Sequence, residues 1–122
     1  MILVDTSVWI DHLRRSIPGL IHELQNGTIA SHPFVVGELA LGHFRHRDET
    51  VDLLRELPGL KVAAHDEVLE FALRHDLPGR GIGWIDAHLL CAAHANDVPI
   101  WTHDRRLGAC AAKLRLASHS PR

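Results

Sequence analysis

The sequence contains few cysteines and no long apolar run. Only Cys91 and Cys110 occur, and because they do not form a C-x-x-C pair, neither a disulfide framework nor a cysteine zinc site is expected. No apolar stretch approaches the ~20 residues that span a bilayer. Residues 2–4 are apolar and precede Asp5 without a basic leader, which argues against a signal peptide. We therefore expect a cytoplasmic protein with no membrane partner.

Excess positive charge is also missing. The formal net charge is −2, whereas proteins that coat nucleic acid without regard to sequence usually present a basic surface. Eleven of the 13 basic residues are nevertheless arginine, which binds phosphate bidentately and stacks on bases. A local basic rim is therefore one interpretation, with candidate substrate contacts at Arg14, Arg15, Arg45, Arg80 and Arg105. The alternative is that these arginines end helices and complement their dipoles.

The remaining composition is typical of a globular protein. The chain has 122 residues, of which 46% are hydrophobic and 23% charged, and these values fit one domain over residues 1–122. Hydrophobic periodicity predicts strands at 2–4, 28–31, 60–63 and 98–101, with a further edge strand at 116–118. Between them, it predicts helices at 8–15, 20–25, 33–44, 49–57, 65–75, 84–95 and 104–114.

This alternation of strands and helices predicts the fold class. Short apolar strands separated by helices are typical of an α/β fold with three layers, α/β/α, in which helices cover both faces of a central parallel sheet. We expect four to five short strands in that sheet. Ligands bind such sheets beyond the carboxyl ends of the strands, so the residues that follow each strand are the first candidates for a site.

Acidic residues occupy these candidate positions. Asp5 directly follows the first predicted strand, and Asp104 follows the strand at 98–101. Asp86 lies in the first turn of the helix that the glycine-rich segment 77–83 enters, and Glu38 interrupts an apolar helical stretch. Taken singly, each Asp is explained as a helix cap or a first-turn charge, and Glu38 as a solvent-facing residue. Their joint placement near one edge of the sheet favours a shared site.

A shared site of carboxylates predicts a particular chemistry. Clustered carboxylates raise one another's pKa, and they persist where a cation offsets their charge. Oxygen ligands from Asp and Glu suit Mg²⁺ or Mn²⁺ better than a softer metal. Such an ion activates water and offsets the charge on a phosphodiester. The pattern therefore indicates phosphoryl chemistry, without identifying RNA as the substrate.

Four acidic segments also stand in a characteristic order along the chain. They are I-L-V-D-T-S at residues 2–7, V-G-E-L at 36–39, G-W-I-D-A at 83–87 and W-T-H-D at 101–104. They are similar to the four motifs of the PIN-domain family, and more narrowly to those of the VapC-type toxins of bacterial toxin–antitoxin pairs. The resemblance follows the family's order and spans nearly the whole chain.

The resemblance implies an Mg²⁺- or Mn²⁺-dependent endoribonuclease that has a cognate antitoxin and is commonly a homodimer. Carried over by position, the catalytic acids are Asp5, Glu38, Asp86 and Asp104, with Asp5 and Asp86 as direct metal ligands. Glu38 is expected to act through water or to position it, and Asp104 to bind a second ion or a substrate-side water. We expect metal-activated water to attack the RNA phosphodiester and to leave a 5′-phosphate and a 3′-hydroxyl.

Hydroxyl side chains accompany these acids in the motifs. Thr6, Ser7 and Thr102 are expected to orient the carboxylates through hydrogen bonds. The alternative is that they cap helices or satisfy strand ends.

A second predicted surface could bind the expected protein partner. Residues 34–57 predict a helical hairpin with more apolar surface than the core needs. Its candidates for contact with an antitoxin peptide or a second subunit are Leu41, Phe44, Leu53 and Leu54. Core packing is the alternative explanation for these side chains.

Other functions are also compatible with a small α/β domain of this size. A receiver-like signalling domain needs a phosphoacceptor Asp at the end of a middle strand and a Lys at the end of a later one. The predicted strand at 60–63 runs into Ala64 instead, and the only lysines are Lys61 and Lys113, so this alternative is not favoured. A PIN nuclease that processes RNA without being a toxin stays open. A PIN-like domain that binds without cutting is not favoured, because all four acids are present.

Overall fold

A computed structural model describes residues 1–118 of the chain. Its sheet is parallel and has strand β1 (Ile2–Val4) in the middle, between β2 (Ile29–Ala30) and β3 (Ile100–Trp101). Successive residues of a strand point to opposite faces, and the residues of β2 and β3 are all at most 4% exposed. Both faces of the sheet are therefore covered, as the three-layer prediction requires.

The strand register brings two strand ends together. Leu3 of β1 pairs with Ala30 on one side and with Ile100 on the other. Because the strands run in the same direction, their carboxyl ends lie at one edge of the sheet. Asp5 follows β1 directly at this edge, and Thr102 follows β3.

Seven helices accompany the sheet within residues 1–118. They are α1 (Thr6–Arg14), α2 (Pro18–Gln25), α3 (Pro33–Ala40), α4 (Arg47–Glu56), α5 (His65–Arg74), α6 (Trp84–Asn96) and α7 (Arg105–Lys113). Helix α3 packs against α4 and α1, α5 packs against α6, and α7 packs against β3. The predicted helices are confirmed to within a few residues, apart from the end of α3. None of these helices is both long and apolar enough to cross a membrane.

Each edge of the sheet carries a single bridge where a further strand was predicted. Ser31 bridges Gly59 beside β2, and Ile100 bridges Ala117 beside β3. The sequence predicts four to five strands, whereas three form in the described part of the chain. The two predicted segments that form no strand are 60–63 and 116–118.

The early end of β2 explains the missing strand at 60–63. The amide of Ser31 donates to the carbonyl of Pro58, and its carbonyl accepts the amide of Leu60, both at 2.8 Å. Beyond this bridge the chain turns into α3, whose first residue is Pro33. Because proline has no amide proton and suits the first helical turn, β2 offers no further ladder to residues 61–63.

Helix α3 is shorter than the predicted 33–44. It ends at Ala40, and the amide of Gly42 donates to the carbonyl of Leu39 at 3.1 Å. This bond spans three residues, as in the tightened last turn of a helix. Glycine is costly in a helix interior, so the chain leaves the helix here, before Phe44.

A buried histidine caps the start of α3. His32 is 1% exposed, and its Nδ1 accepts the amide of Phe34 at 3.0 Å. The Phe34 ring packs edge-on against His32 and against His88. Burial, and then the charge of His88, lowers the pKa of His32 to about 4. The folded protein therefore holds this imidazole neutral.

We predict that acid destabilises the fold through His32. In the unfolded chain this group titrates at its ordinary value of 6.5, so between about pH 6.5 and pH 4 the unfolded chain binds more protons than the folded one. The free energy of unfolding should fall as the pH falls through this window, and His32 should contribute up to about 3 kcal/mol. Urea denaturation at a series of pH values measures the fall. The variant His32→Asn keeps an acceptor for the Phe34 amide but does not titrate, so the same pH dependence in both proteins would contradict the prediction.

Candidate active site

The Asp5 carboxylate lies buried at the carboxyl end of β1. It is 6% exposed, and its amide donates to the carbonyl of Trp101 at 2.9 Å, which continues the pairing of β1 with β3. Its Oδ2 accepts hydrogen bonds from the hydroxyls of Ser7 and Thr102, at 2.7 and 2.8 Å. Because hydrogen bonds to an ionised group are short and strong, these two donors fix the orientation of the carboxylate.

The same two hydroxyls also fix the loop that follows β3. The Oγ of Ser7 accepts the amide of His103, and the Oγ1 of Thr102 accepts the amide of Asp104, both at 3.0 Å. Each hydroxyl therefore donates to Asp5 while it accepts from the backbone, and such chains of hydrogen bonds reinforce one another. The position of Asp104 is in this way coupled to that of Asp5.

One oxygen of Glu38 and one oxygen of Asp104 accept hydrogen bonds. The hydroxyl of Thr6 donates to Oε1 of Glu38 at 2.8 Å, across from α1 to α3. Oδ1 of Asp104 accepts the amides of Arg106 and Leu107, so Asp104 is the N-cap of α7. The three hydroxyls nominated from the sequence thus each donate to one of the four acids, and their effect on activity stays a prediction.

The charges of the other three acids all act on the carboxyl group of Asp86. Asp86 lies at the third position of α6, where its Oδ2 accepts the amide of Gly83 at 3.1 Å. Burial raises the pKa of the Asp86 carboxyl, and the hydrogen bond from the Gly83 amide lowers it. The negative charges of the other three acids, Asp5, Asp104 and Glu38, raise this pKa further. Charges act strongly on one another over short distances inside proteins. The four predicted acids therefore form one electrostatic cluster, which we call the acid cluster.

The donor chemistry of the acid cluster fits a hard divalent cation. Within residues 1–118, no three His, Cys, Asp or Glu side chains converge tightly enough to enclose an ion as they stand. One oxygen of each acid is engaged by the hydrogen bonds above, and the second oxygen accepts none in the described chain. Carboxylate oxygens are the ligands that Mg²⁺ and Mn²⁺ prefer. A cation would offset the repulsion that, after burial, contributes to the raised pKa of Asp86.

The arginines nominated from the sequence lie in different places. Arg80 and Arg105 line one cleft, together with Arg106 and Lys113. The other three, all exposed, lie at the end of α1 and in the turn between α3 and α4; they are Arg14, Arg15 and Arg45. Arg106 and Lys113 are not among the contacts predicted from the sequence, although their spacing of seven places them on one face of α7.

A hydrogen-bonded contact between a histidine and an aspartate beside the acid cluster was also missed. Nδ1 of His103 lies 2.6 Å from Oδ2 of Asp11, which is on α1. The spacing of four between Ser7 and Asp11 puts both on one helical face, and this is the signal in the sequence that indicates Asp11. The pair adds a second tie between α1 and the loop after β3.

Comparison with known proteins identifies the family. The model of the PIN domain matches residues 2–113. Ribonuclease VapC32 of Mycobacterium tuberculosis, strain CDC 1551 / Oshkosh, is 46% identical over 118 residues, which are 96% of this chain and 95% of that protein. Ribonuclease VapC32 of strain ATCC 25618 / H37Rv matches equally. The chain therefore belongs to the PIN-domain family.

A solved structure agrees at the level of the fold. The crystal structure of PAE2754 from Pyrobaculum aerophilum superposes with a TM-score of 0.64 at 19% identity, over 96% of this chain and 87% of that one. At this identity the likeness concerns the fold alone. Together with the family match, it confirms the predicted PIN-like α/β architecture.

We predict that Asp86→Asn stabilises the protein in metal-free buffer. The raised pKa of Asp86 means that the folded state disfavours the charged carboxylate. This penalty is absent at a pH where both states are protonated, and it is fully present at a pH above the folded pKa. The amide of Asn carries no charge and still accepts the Gly83 amide, so the free energy of unfolding should rise by about 0.5 to 2 kcal/mol.

Denaturant titration of a matched pair checks this prediction. Asp52→Asn makes the same change of charge at an exposed position of α4, and it should alter stability by less than about 0.5 kcal/mol. Equal effects of the two substitutions, or a loss of stability in Asp86→Asn, would show that the acid cluster is not under electrostatic strain.

Proposed function

We propose that this PIN-domain protein is a divalent-metal-dependent endoribonuclease and the toxin of a type II toxin–antitoxin pair. The observation that carries the proposal is the acid cluster, in which the charges of Asp5, Glu38 and Asp104 all act on the Asp86 carboxyl. Support also comes from the similarity, over nearly the full length of both chains, to proteins named as ribonucleases. The reaction class is hydrolysis of a phosphodiester bond in RNA.

The acids of the cluster support a proposed set of ligands for the cation. Asp5 and Asp86 would hold Mg²⁺, or Mn²⁺ in its place, directly, and Glu38 and Asp104 would complete the site through water. When bound, the ion activates water and offsets charge on the phosphodiester. Ser7 and Thr102 orient Asp5 by donating to its Oδ2, and Thr6 orients Glu38 in the same way. Loss of such a supporting hydrogen bond typically lowers metal affinity or activity by about tenfold to a hundredfold.

The proposed hydrolysis leaves defined products. The oxygen of water bonds to phosphorus, the bond from phosphorus to O3′ breaks, and a proton ends on O3′. The products are a 3′-hydroxyl and a 5′-phosphate. We do not propose attack by the 2′-hydroxyl, because that reaction needs a general base and a general acid, typically a pair of histidines. In the described chain, only His103 among the histidines takes part in the hydrogen bonds around the acid cluster, and its Nδ1 is paired with Asp11.

Exposed apolar side chains support the proposal of a protein partner. Leu41 at the end of α3 is 91% exposed, and Leu53 on α4 is 48% exposed. Of the other two nominated residues, Leu54 is fully buried and Phe44 packs partly against the core, so Leu54 belongs to the core instead. An apolar surface next to a helical hairpin suits an amphipathic antitoxin segment. The antitoxin and the homodimer both stay predictions.

We predict that Asp5→Asn abolishes Mg²⁺-dependent cleavage of a labelled RNA pool. Asn still accepts the hydroxyls of Ser7 and Thr102, so the fold should persist, while the charge that holds the cation is lost. The expected loss is roughly a hundredfold or more, as when one electrostatic contributor to a transition state is removed. Asp52→Asn, with the same change of charge on α4, should cleave as the parent does.

The chemistry of the new RNA ends tests the mechanism separately. Ligation and phosphatase assays should find 5′-phosphates and 3′-hydroxyls. Full Mg²⁺-dependent activity in Asp5→Asn would refute the assignment of the acid cluster. Ends that carry a 2′,3′-cyclic phosphate would instead refute attack by water.

A further inference from the structure

A cleft beside α7 is lined by four cationic side chains. It has a volume of about 530 Å³, which lies within the range of ligand pockets. Its cations are Arg80, Arg105, Arg106 and Lys113, and Ala109 and Cys110 form the rest of the lining. We call it the basic cleft. In a chain whose net charge is −2, such a concentration of positive charge calls for an explanation.

Two of the four cations share one carboxylate. Nη2 of Arg80 lies 3.1 Å from Oδ2 of Asp76, and Nζ of Lys113 lies 3.5 Å from the same oxygen. Arg80 also donates from Nε to the carbonyl of Asp76 at 3.0 Å. Asp76 therefore positions both side chains and neutralises only part of their charge.

The other two cations have no such partner. Within residues 1–118, no acidic side chain forms an ion pair with Arg105 or Arg106. They are the first two residues of α7, where the helix dipole is positive and repels cations. The explanation that helix-end arginines complement dipoles therefore fails for this pair. An unfavourable local arrangement of this kind is expected at functional sites.

A glycine lets Arg106 reach into the cleft. Gly81 has φ +78°, and a Cβ built on it would lie 2.8 Å from Cδ and 3.0 Å from Nη1 of Arg106. Only a residue without a side chain allows this contact, and only glycine adopts such a φ without strain. The loop before α6 thus supports the side chain of Arg106 from one side.

The basic cleft adjoins the acid cluster. Asp104 caps α7 and directly precedes Arg105. Cys110 lines the cleft, and burial raises the pKa of its thiol. The charges of Arg80 and Lys113 lower this pKa, whereas the charge of Asp86 raises it. Groups of both sites therefore act on one side chain, in agreement with the direct succession of Asp104 and Arg105 at the start of α7.

We propose that the basic cleft binds the backbone phosphates of the RNA strand next to the phosphodiester held at the acid cluster, with Arg105 and Arg106 as the main contacts. This inference rests on the proposed function. A cluster of carboxylates repels a polyanion, so cations beside it are needed to bring the strand in and hold it. Guanidinium groups without a partner match phosphate bidentately. Arg80 and Lys113, already positioned by Asp76, line the same path.

Binding of RNA without cleavage tests the proposal. We would use fluorescence anisotropy with a labelled single-stranded oligoribonucleotide, in the Asp5→Asn background and over a range of NaCl concentrations. Loss of two phosphate contacts in Arg105→Gln/Arg106→Gln should weaken binding roughly tenfold or more and reduce the slope of log K against log salt by about 1.4. Its melting temperature should not fall, because the removed charges oppose the helix dipole.

The matched control removes two charges at the other side of the sheet. Arg55 and Lys61 are exposed and flank the bridge beside β2, whereas α7 packs on β3 at the opposite edge. Arg55→Gln/Lys61→Gln has the same net charge as the test variant, and its salt slope should match that of the Asp5→Asn parent. Equal binding and equal slopes in the two double variants would overturn the proposal of the basic cleft.

A parallel cleavage assay with intact acids separates this proposal from the proposed function. If the protein cleaves RNA but binds it equally well without Arg105 and Arg106, only the proposal of the basic cleft is overturned. Binding that depends on them without any cleavage by the intact protein supports the basic cleft and contradicts the proposed nuclease.

Discussion

Two hydroxyl groups that donate to one buried carboxylate organise the candidate active site. Ser7 and Thr102 come from different parts of the chain, yet both donate to Oδ2 of Asp5, and each accepts an amide of the loop that ends at Asp104. A hydroxyl can do both because it has one proton and two lone pairs. Asp5 and Asp104 are consequently positioned together, and a change at either hydroxyl should disturb both.

The rest of the architecture brings the other groups to the same edge. Parallel pairing puts the ends of β1 and β3 side by side, and α6 and α3 deliver Asp86 and Glu38. Burial, and then the charges of the other three acids, raise the pKa of Asp86. The charged carboxylate therefore costs the fold stability, and a bound cation would offset part of that cost. The neighbouring basic cleft adds the opposite charge that a polyanionic substrate requires. Acid cluster and basic cleft are thus complementary parts of one proposed site.

The sequence was sufficient to predict features that depend on local pattern and on strand direction. Asp5 and Asp104 could be placed at one sheet edge, because each follows an apolar segment and parallel strands end together. The strand at 60–63 could not be judged in this way, since its pairing depends on where β2 stops, and that is decided by Pro33. The support of Arg106 by Gly81 joins distant segments, so no local pattern indicates it.

Titration of Mn²⁺ into the metal-free protein by isothermal calorimetry tests the central claim most directly. The account predicts saturable binding that is lost in Asp5→Asn. In Thr102→Val, which keeps all four carboxylates and removes only one hydroxyl that orients Asp5, binding should weaken by about tenfold to a hundredfold. Unchanged affinity in both variants would contradict the claim that Asp5, held by these hydroxyls, is the centre of a metal site.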